Sequence, residues 1–185
     1  MLRARLAAGL LALALTVTPP MNARPALAAS AAQINRDANA VIVTLYEKHP
    51  EAKQLAARAK AILIFPSIYK AGFMFGAQYG EGVLRRGNTS VGYYNTVAAS
   101  YGWQAGAQAF GYALFFMNDA ALNYLDKSGG FEVGVGPSIV VLDEGAGKSM
   151  TSSTVTQDIY ALIFDQKGMM AGAGLQGSKI SKIEK

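Results

Sequence analysis

No cysteine occurs in the 185 residues, which excludes a disulfide framework and a lipoprotein acylated on cysteine. Histidine is confined to His49, beside Pro50 at a helix end, with no cysteine to join it as a metal ligand, so a surface or capping role is expected and no metal is. Charged residues make up only 16% of the chain, and no apolar run reaches the length of about 20 residues that a spanning helix needs. The longest, Leu6 to Val17, is ended by Pro19 and Pro20.

The parts of an active site are equally scarce. No serine sits in a nucleophile elbow. Asp143 and Glu144 are adjacent in a strand-like stretch and point to opposite faces, so they cannot easily share a proton, while Asp119 suits charge compensation at a helix N-terminus. Gly145-Ala146-Gly147-Lys148-Ser149 imitates the end of a phosphate-binding loop, but Leu142 stands where the first glycine is required and a strand composition follows where a helix should. Asn88-Thr89-Ser90 has the form of a glycosylation sequon and reads more simply as turn chemistry. The expectation is a protein that is not an enzyme and carries no cofactor.

What is present begins with Arg3 and Arg5, the apolar stretch, and then Ala26-Leu27-Ala28, the three regions of a secretory signal in order. Cleavage after Ala28 is expected, with a destination in the periplasm or beyond; a retained membrane anchor is the alternative. Residues 1–28 are thus a signal peptide and residues 29–185 one domain. Arg3, Arg5 and Arg24 leave with the signal, so the net charge falls from +5 to +2, too little to argue for nucleic acid. Glycine is plentiful, 20 residues without a collagen-like period, and half of the chain is apolar, as in a globular domain with glycine placed in its strands.

From Ala31 to Tyr46, Ile34, Ala38, Val41, Ile42 and Leu45 recur at helical spacing, and His49-Pro50 closes that helix. A second helix is expected from Glu51 to Lys60, with Ala52, Leu55, Ala56 and Ala59 facing inward and Lys53, Arg58 and Lys60 to the side. The period then changes to two. Ile62 to Phe65 reads as a buried strand stopped by Pro66. From Gly72 to Val83, Gly72, Gly76, Gly80 and Gly82 share one face with Met74 and Gln78, while Phe73, Phe75, Ala77, Tyr79, Glu81 and Val83 share the other. Arg86 to Thr89 is a turn leading to a return strand near Val91 to Val97. The glycine stripe recurs in Ser100 to Gly111 and again, more weakly, in Met170 to Gln176, at a spacing too uneven for a solenoid.

A face without β-carbons admits another layer of the fold or a ligand chain, or lets the sheet bend. Further along, Ala113 to Met117 is a strand, Asn118 caps a short helix from Asp119 to Lys127 that Gly129 ends, and strands follow at Phe131 to Val135, Ser138 to Leu142, Met150 to Thr156 and Ile159 to Phe164. Gln166-Lys167-Gly168 reads as a hairpin connection. The fold class is α+β: a Gly-rich antiparallel sheet of about seven to nine strands, or a barrel-like domain, with N-terminal helices and one inserted helix.

The stretch AKAILIFPSIYKAGFMFGAQYGEGVL, Ala59 to Leu84, resembles the opening of the SYLF domain, with its Ala-Lys, its apolar strand ending in Phe-Pro, its Lys-Ala-Gly and its Tyr-Gly-Glu-Gly in that order. The resemblance continues through YGWQAGAQ, FFMNDAALNYL and KGMMAGAGLQGSKI, and extends over about Ala31 to Ile183. It implies a lipid-binding fold: eukaryotic members bind phosphoinositides through the basic amphipathic N-terminal part, some bind and bundle actin, and bacterial relatives are exported and membrane-associated. By position it makes Lys53, Arg58 and Lys60 on the second helix, and Lys70 in the following loop, the candidate lipid-contacting residues. The signal peptide and the lack of accessory Src-homology or zinc-finger modules depart from the eukaryotic pattern and weigh against actin.

A helix with an apolar stripe and basic flanks can lie among headgroups, where each Lys or Arg contributes about 1 kcal/mol near an anionic surface. Packing of the first helix on the sheet is the competing expectation, and the favoured one. The leading function is a non-catalytic lipid-binding protein of the cell envelope, peripheral to a membrane, with anionic phospholipids as partners. An envelope scaffold that docks a protein partner is the alternative, and a small outer-membrane barrel is disfavoured by the charged tail Lys179 to Lys185 and the helical start.

Overall fold

The computed structural model describes residues 28–127, 131–133, 136–142, 156–168 and 177–185. Two helices come first. Ser30 caps α1 (Ala31–Lys48) by accepting from the Gln33 N–H at 3.2 Å, and the stripe Ile34, Ala38 and Leu45 is buried. Pro50 opens α2 (Pro50–Arg58) at the first-turn position where its missing N–H costs nothing, with Ala52 and Leu55 buried. His49 holds the cap position between them, its N–H donating to Leu45 O, and is buried rather than superficial: its Nδ1 lies 3.2 Å from Glu51 Oε1.

The sheet is dominated by one hairpin, β1 (Ala61–Arg86) against β2 (Thr89–Phe116), joined at a tight turn where Gly87 takes φ 57°. Pro66 does not stop the first strand. It sits where the register shifts between Phe65 and Ile68, a bulge at which proline removes no ladder hydrogen bond. The short strands expected on either side of it are therefore one, and the three stretches expected between Val91 and Met117 likewise merge into β2.

The far edge of β2 is shared by β5 (Ile159–Gly168), which pairs with its second half, and β6 (Lys179–Ile183), which pairs with its first. The short β3 (Phe131–Glu132) continues from β6, and β4 (Ile139–Leu142) from β5. The β4 and β5 pairing is parallel, an exception to the expected antiparallel sheet. Gln166-Lys167-Gly168 belongs to β5 rather than to a hairpin connection. The loop-like Gly145 to Ser149, nearly all of the Met150 to Thr156 strand, Gly129 and the third glycine stripe lie outside the described residues, as does the chain before Ala28.

The hairpin curls until its two halves face each other, giving a half-barrel. A β-carbon on Gly80 would lie 2.6 Å from Ile68 Cγ1 and 2.9 Å from Ser67 O, and one on Gly82 would collide with Ile64 O and lie 2.8 Å from the Phe65 ring. Tyr112, fully buried, donates its hydroxyl proton to Thr96 Oγ1 at 3.1 Å across the same interior. The glycine stripe on β1 thus packs internally: absent β-carbons let one end of the strand close over the other.

Within the concave side, Leu63, Phe65, Ile68, Tyr112, Leu114 and Phe116 form the main core with Leu122 and Leu125 of α3 (Asp119–Asp126). On the convex side, Ile34 and Ala38 of α1 pack on Ile64 and Val83, while Leu45, Ala52 and Leu55 pack on Phe115, Tyr160 and Leu162. The apolar stripes of both N-terminal helices are spent on the sheet.

Asn118 fastens α3 twice, its Oδ1 accepting from the Ala121 N–H at 2.8 Å and its Nδ2 donating to Asp158 Oδ1 at 2.7 Å. Replacing Asn118 by Ala is expected to cost about 1–2 kcal/mol, measured by urea denaturation. An unchanged midpoint would remove the cap from the account of α3.

Candidate functional site

The convex face of the hairpin continues beyond the helices. Register sets its rows: Tyr69 stands opposite Ala109, Ala71 opposite Ala107, Ala77 opposite Ala99, and Tyr79 opposite Val97, all on the side where α1 covers Val83 and Ile64. Tyr69 is 66% exposed, Phe73 73%, Phe75 70% and Tyr79 46%. Large apolar side chains scattered singly are ordinary on a surface, but four aromatics along eleven residues of one strand, backed by alanines, form a contiguous patch.

The patch is centred on the bend. Between the pairs Phe73 with Ala105 and Phe75 with Tyr101, β1 advances two residues and β2 four. Met74 between them takes φ 61°, a left-handed conformation that costs an L-residue roughly 1–2 kcal/mol. On the facing strand Gly106 takes φ 133°. Gly72 is required beneath, since a β-carbon there would run into the main chain of Phe75 and Gly76. The apex of the curl presents Phe73, Met74 and Phe75 outward.

Two lysines extend these rows to the neighbouring strands. Lys167 of β5 pairs with Ala109, which pairs with Tyr69; Lys179 of β6 pairs with Val97, which pairs with Tyr79. Directly paired residues share a face, so both exposed lysines rim the aromatic patch.

The four basic residues singled out in the sequence divide differently. Lys53 and Arg58 are exposed on α2, and Lys60 is exposed just after it, its N–H donating to Phe116 O at 2.8 Å. Lys70 is not in a loop: it lies within β1 opposite Gln108, half-buried, on the face opposite Tyr69. Lys60 lies just before β1, at the end that pairs with Phe116. Lys70 therefore belongs to the sheet, and the other three to α2 and the residues just after it.

Beside the patch, Glu81 gathers three donors. Tyr79 donates its hydroxyl proton to Oε1 at 2.7 Å, while the Ala29 N–H and the Lys185 ammonium each donate to Oε2 at 3.0 Å. Lys185 Nζ also donates to Ala29 O at 2.8 Å. Burial alone would raise the Glu81 pKa, but the hydrogen bonds from Tyr79, Lys185 and Ala29 and the Lys185 charge outweigh it and hold the carboxyl below its ordinary value. Burial, together with the hydrogen bond to Glu81 and its negative charge, pushes the Tyr79 hydroxyl up to about 12. This cluster closes one side of an open cavity of about 410 Å³, lined by Ala28, Asp37, Pro66 and Tyr69 among others.

Among the described residues no helix is long and apolar enough to cross a membrane, and no group of three His, Asp or Glu side chains is placed to hold a metal ion.

Fold and surface together define an α+β domain built on one sharply bent hairpin, with an apolar apex outside and a glycine-lined interior. Residues 97–185 match the family model described as "Ysc84: Las17-binding protein actin regulator", as a member of the SYLF domain family does. The matched part runs from the middle of β2 through β6 and so includes Lys167 and Lys179 but not the Ala59 to Leu84 stretch. No curated protein matches the chain.

Proposed function

We propose that this protein is a non-catalytic, exported lipid-binding protein that attaches peripherally to an anionic membrane surface of the cell envelope through the convex face of its hairpin. The observation that carries the reading is the aromatic apex: Phe73 and Phe75 remain more than two-thirds exposed at a bend maintained at a conformational cost by Met74. Tyrosines Tyr69 and Tyr79 flank them with amphipathic rings suited to the headgroup level. Lys167 and Lys179 stand at the rim, where anionic headgroups would meet them. Lys53, Arg58 and Lys60 supply a further contact from α2, as charge alone, because the apolar side of that helix is engaged with the sheet.

Co-sedimentation with vesicles of neutral lipid, with and without an anionic phospholipid, tests this. Wild-type protein is expected to pellet with both kinds and more tightly with the anionic one. Replacing Lys167 and Lys179 by Gln is expected to weaken binding to anionic vesicles by about ten- to thirtyfold, from about 1 kcal/mol per lysine, and to leave neutral vesicles unaffected. Charge reversal at Lys53, Arg58 and Lys60 is expected to have a smaller effect in the same direction, and equal pelleting would remove them from the site. Folded protein that ignores vesicles of every composition would end the proposal.

A second reading takes the same face as a dock for a protein partner. It is favoured by the description of the matched family, which names a protein that binds Las17 and regulates actin. Capture of a protein partner by the wild type in the absence of lipid, lost in a Phe73 and Phe75 variant, would select it.

A further inference from the structure

The Ala29 N–H that reaches Glu81 is the one that cleavage after Ala28 would convert into a free amine. We infer that Glu81 is a receptor for the processed N-terminus: hydrolysis of the Ala28–Ala29 peptide bond creates an α-ammonium that pairs with the Glu81 carboxylate and locks α1 onto the hairpin. This inference rests on the export reading above and is independent of lipid binding.

The chemistry is balanced by water and a leader peptidase of the export machinery. Water adds across the peptide bond, Ala28 departs with a carboxylate, and Ala29 keeps the nitrogen as an amine, protonated at neutral pH because α-amino groups titrate near 7.7–8.0. Before the cut the Ala29 nitrogen makes a bond in which only the acceptor is charged. Afterwards both partners are charged, and the two atoms already stand 3.0 Å apart before the cut.

The site is built for a cation. The Glu81 side chain is 9% exposed, and the Lys185 side chain on the same oxygen is 8% exposed, so the pair is shielded from solvent competition. Tyr79 fixes the other carboxylate oxygen and thereby the direction in which Oε2 points. A second cation beside Lys185 would be opposed by repulsion, but Asp37 of α1 lines the same cavity and adds negative charge from the helix side. Ser30 caps α1 at the very next residue, so the position of the new amine is set by the helix start rather than by a loose tail.

The test compares two forms of this chain: protein recovered from the envelope after export, and the same chain made without export so that residues 1–28 remain. Intact mass should show the exported form to begin at Ala29. Its melting temperature should lie on the order of 3–6 °C above that of the unprocessed form, and Glu81→Gln should abolish the gap. A different N-terminus, equal melting temperatures, or a gap that survives in the Glu81→Gln pair would overturn the inference. If Glu81→Gln fails to fold, the exported wild type still decides the matter through titration of its α-amine, followed by ¹⁵N resonance. With Glu81 in hydrogen-bond reach, Lys185 beside it, and Tyr79 and Asp37 lining the same cavity, the amine should titrate above the ordinary value of about 8, and a midpoint at or below that value rejects the pairing. None of these readouts involves lipid, so failure here and failure of vesicle binding are separate results.

Discussion

Serine in place of both Phe73 and Phe75 is expected to weaken vesicle binding about a hundredfold, on neutral and anionic vesicles alike. Full burial of a phenylalanine side chain contributes roughly 1.5–3 kcal/mol, and these two are exposed by 73% and 70% in the free protein, so most of that contribution is still to be gained on contact with lipid. Two such residues account for roughly 3–4 kcal/mol after the part already buried is set aside, which is two or more powers of ten in affinity. The effect should not depend on salt, in contrast to that of Lys167 and Lys179, whose contribution is screened within a Debye length. Stability should change little, because side chains that face solvent in the folded protein lose little packing when truncated. Vesicle titration with the double variant, with thermal melting alongside, checks both halves. Unchanged affinity would show that the apex does not enter the membrane, and a large fall in melting temperature would show that the two rings pack within the fold.

The three helices were legible in the sequence because their signals are local. The His49-Pro50 junction and Asn118 mark ends by local chemistry, and the observed bounds Ala31–Lys48, Pro50–Arg58 and Asp119–Asp126 fall within two residues of those expected. The strands were less so, because a bulge and a strand end carry the same residues: Pro66 reads as a stop, and only the pairing of Phe65 with Tyr112 and Ile68 with Phe110 reveals that the strand passes through it.

Alternation correctly separated Phe73, Phe75 and Tyr79 from Gly72, Gly80 and Gly82. What alternation cannot supply is which face another layer covers. The helices cover only the Ile64 and Val83 end of the aromatic side, and the curl itself covers the glycine side. Lys167 and Lys179 had no signal at all, one looking like a turn residue and the other like the start of a charged tail. They share a face with the aromatics only through β2, against which β5 and β6 lie end to end. Lys53, Arg58 and Lys60 were named by position in the SYLF resemblance, beside an amphipathic helix, and neither signal reveals that Ala52 and Leu55 already pack with Phe115 and Leu162.

The bend that creates the apex makes a prediction of its own at its inner side. Gly82→Ala is expected to destabilise the protein by about 3 kcal/mol, the upper part of the range for overpacking a core. The added methyl would meet Ile64 O and the Phe65 ring, and a main-chain carbonyl inside a paired strand cannot turn aside as a flexible side chain can. The melting temperature should fall by about 6–12 °C. Gly87→Ala is the matched control: nothing lies within 4 Å of its would-be β-carbon, and its φ of 57° makes the cost conformational, about 1 kcal/mol. The contrast separates two uses of glycine, close approach at Gly82 and left-handed backbone at Gly87, which a count of glycines cannot. Denaturation curves for the two variants give the comparison directly. Equal losses would mean that the halves of β1 do not close over each other. The strain at Met74 and the outward position of Phe73 and Phe75 would then lose their common cause, and with it the shape on which membrane attachment depends.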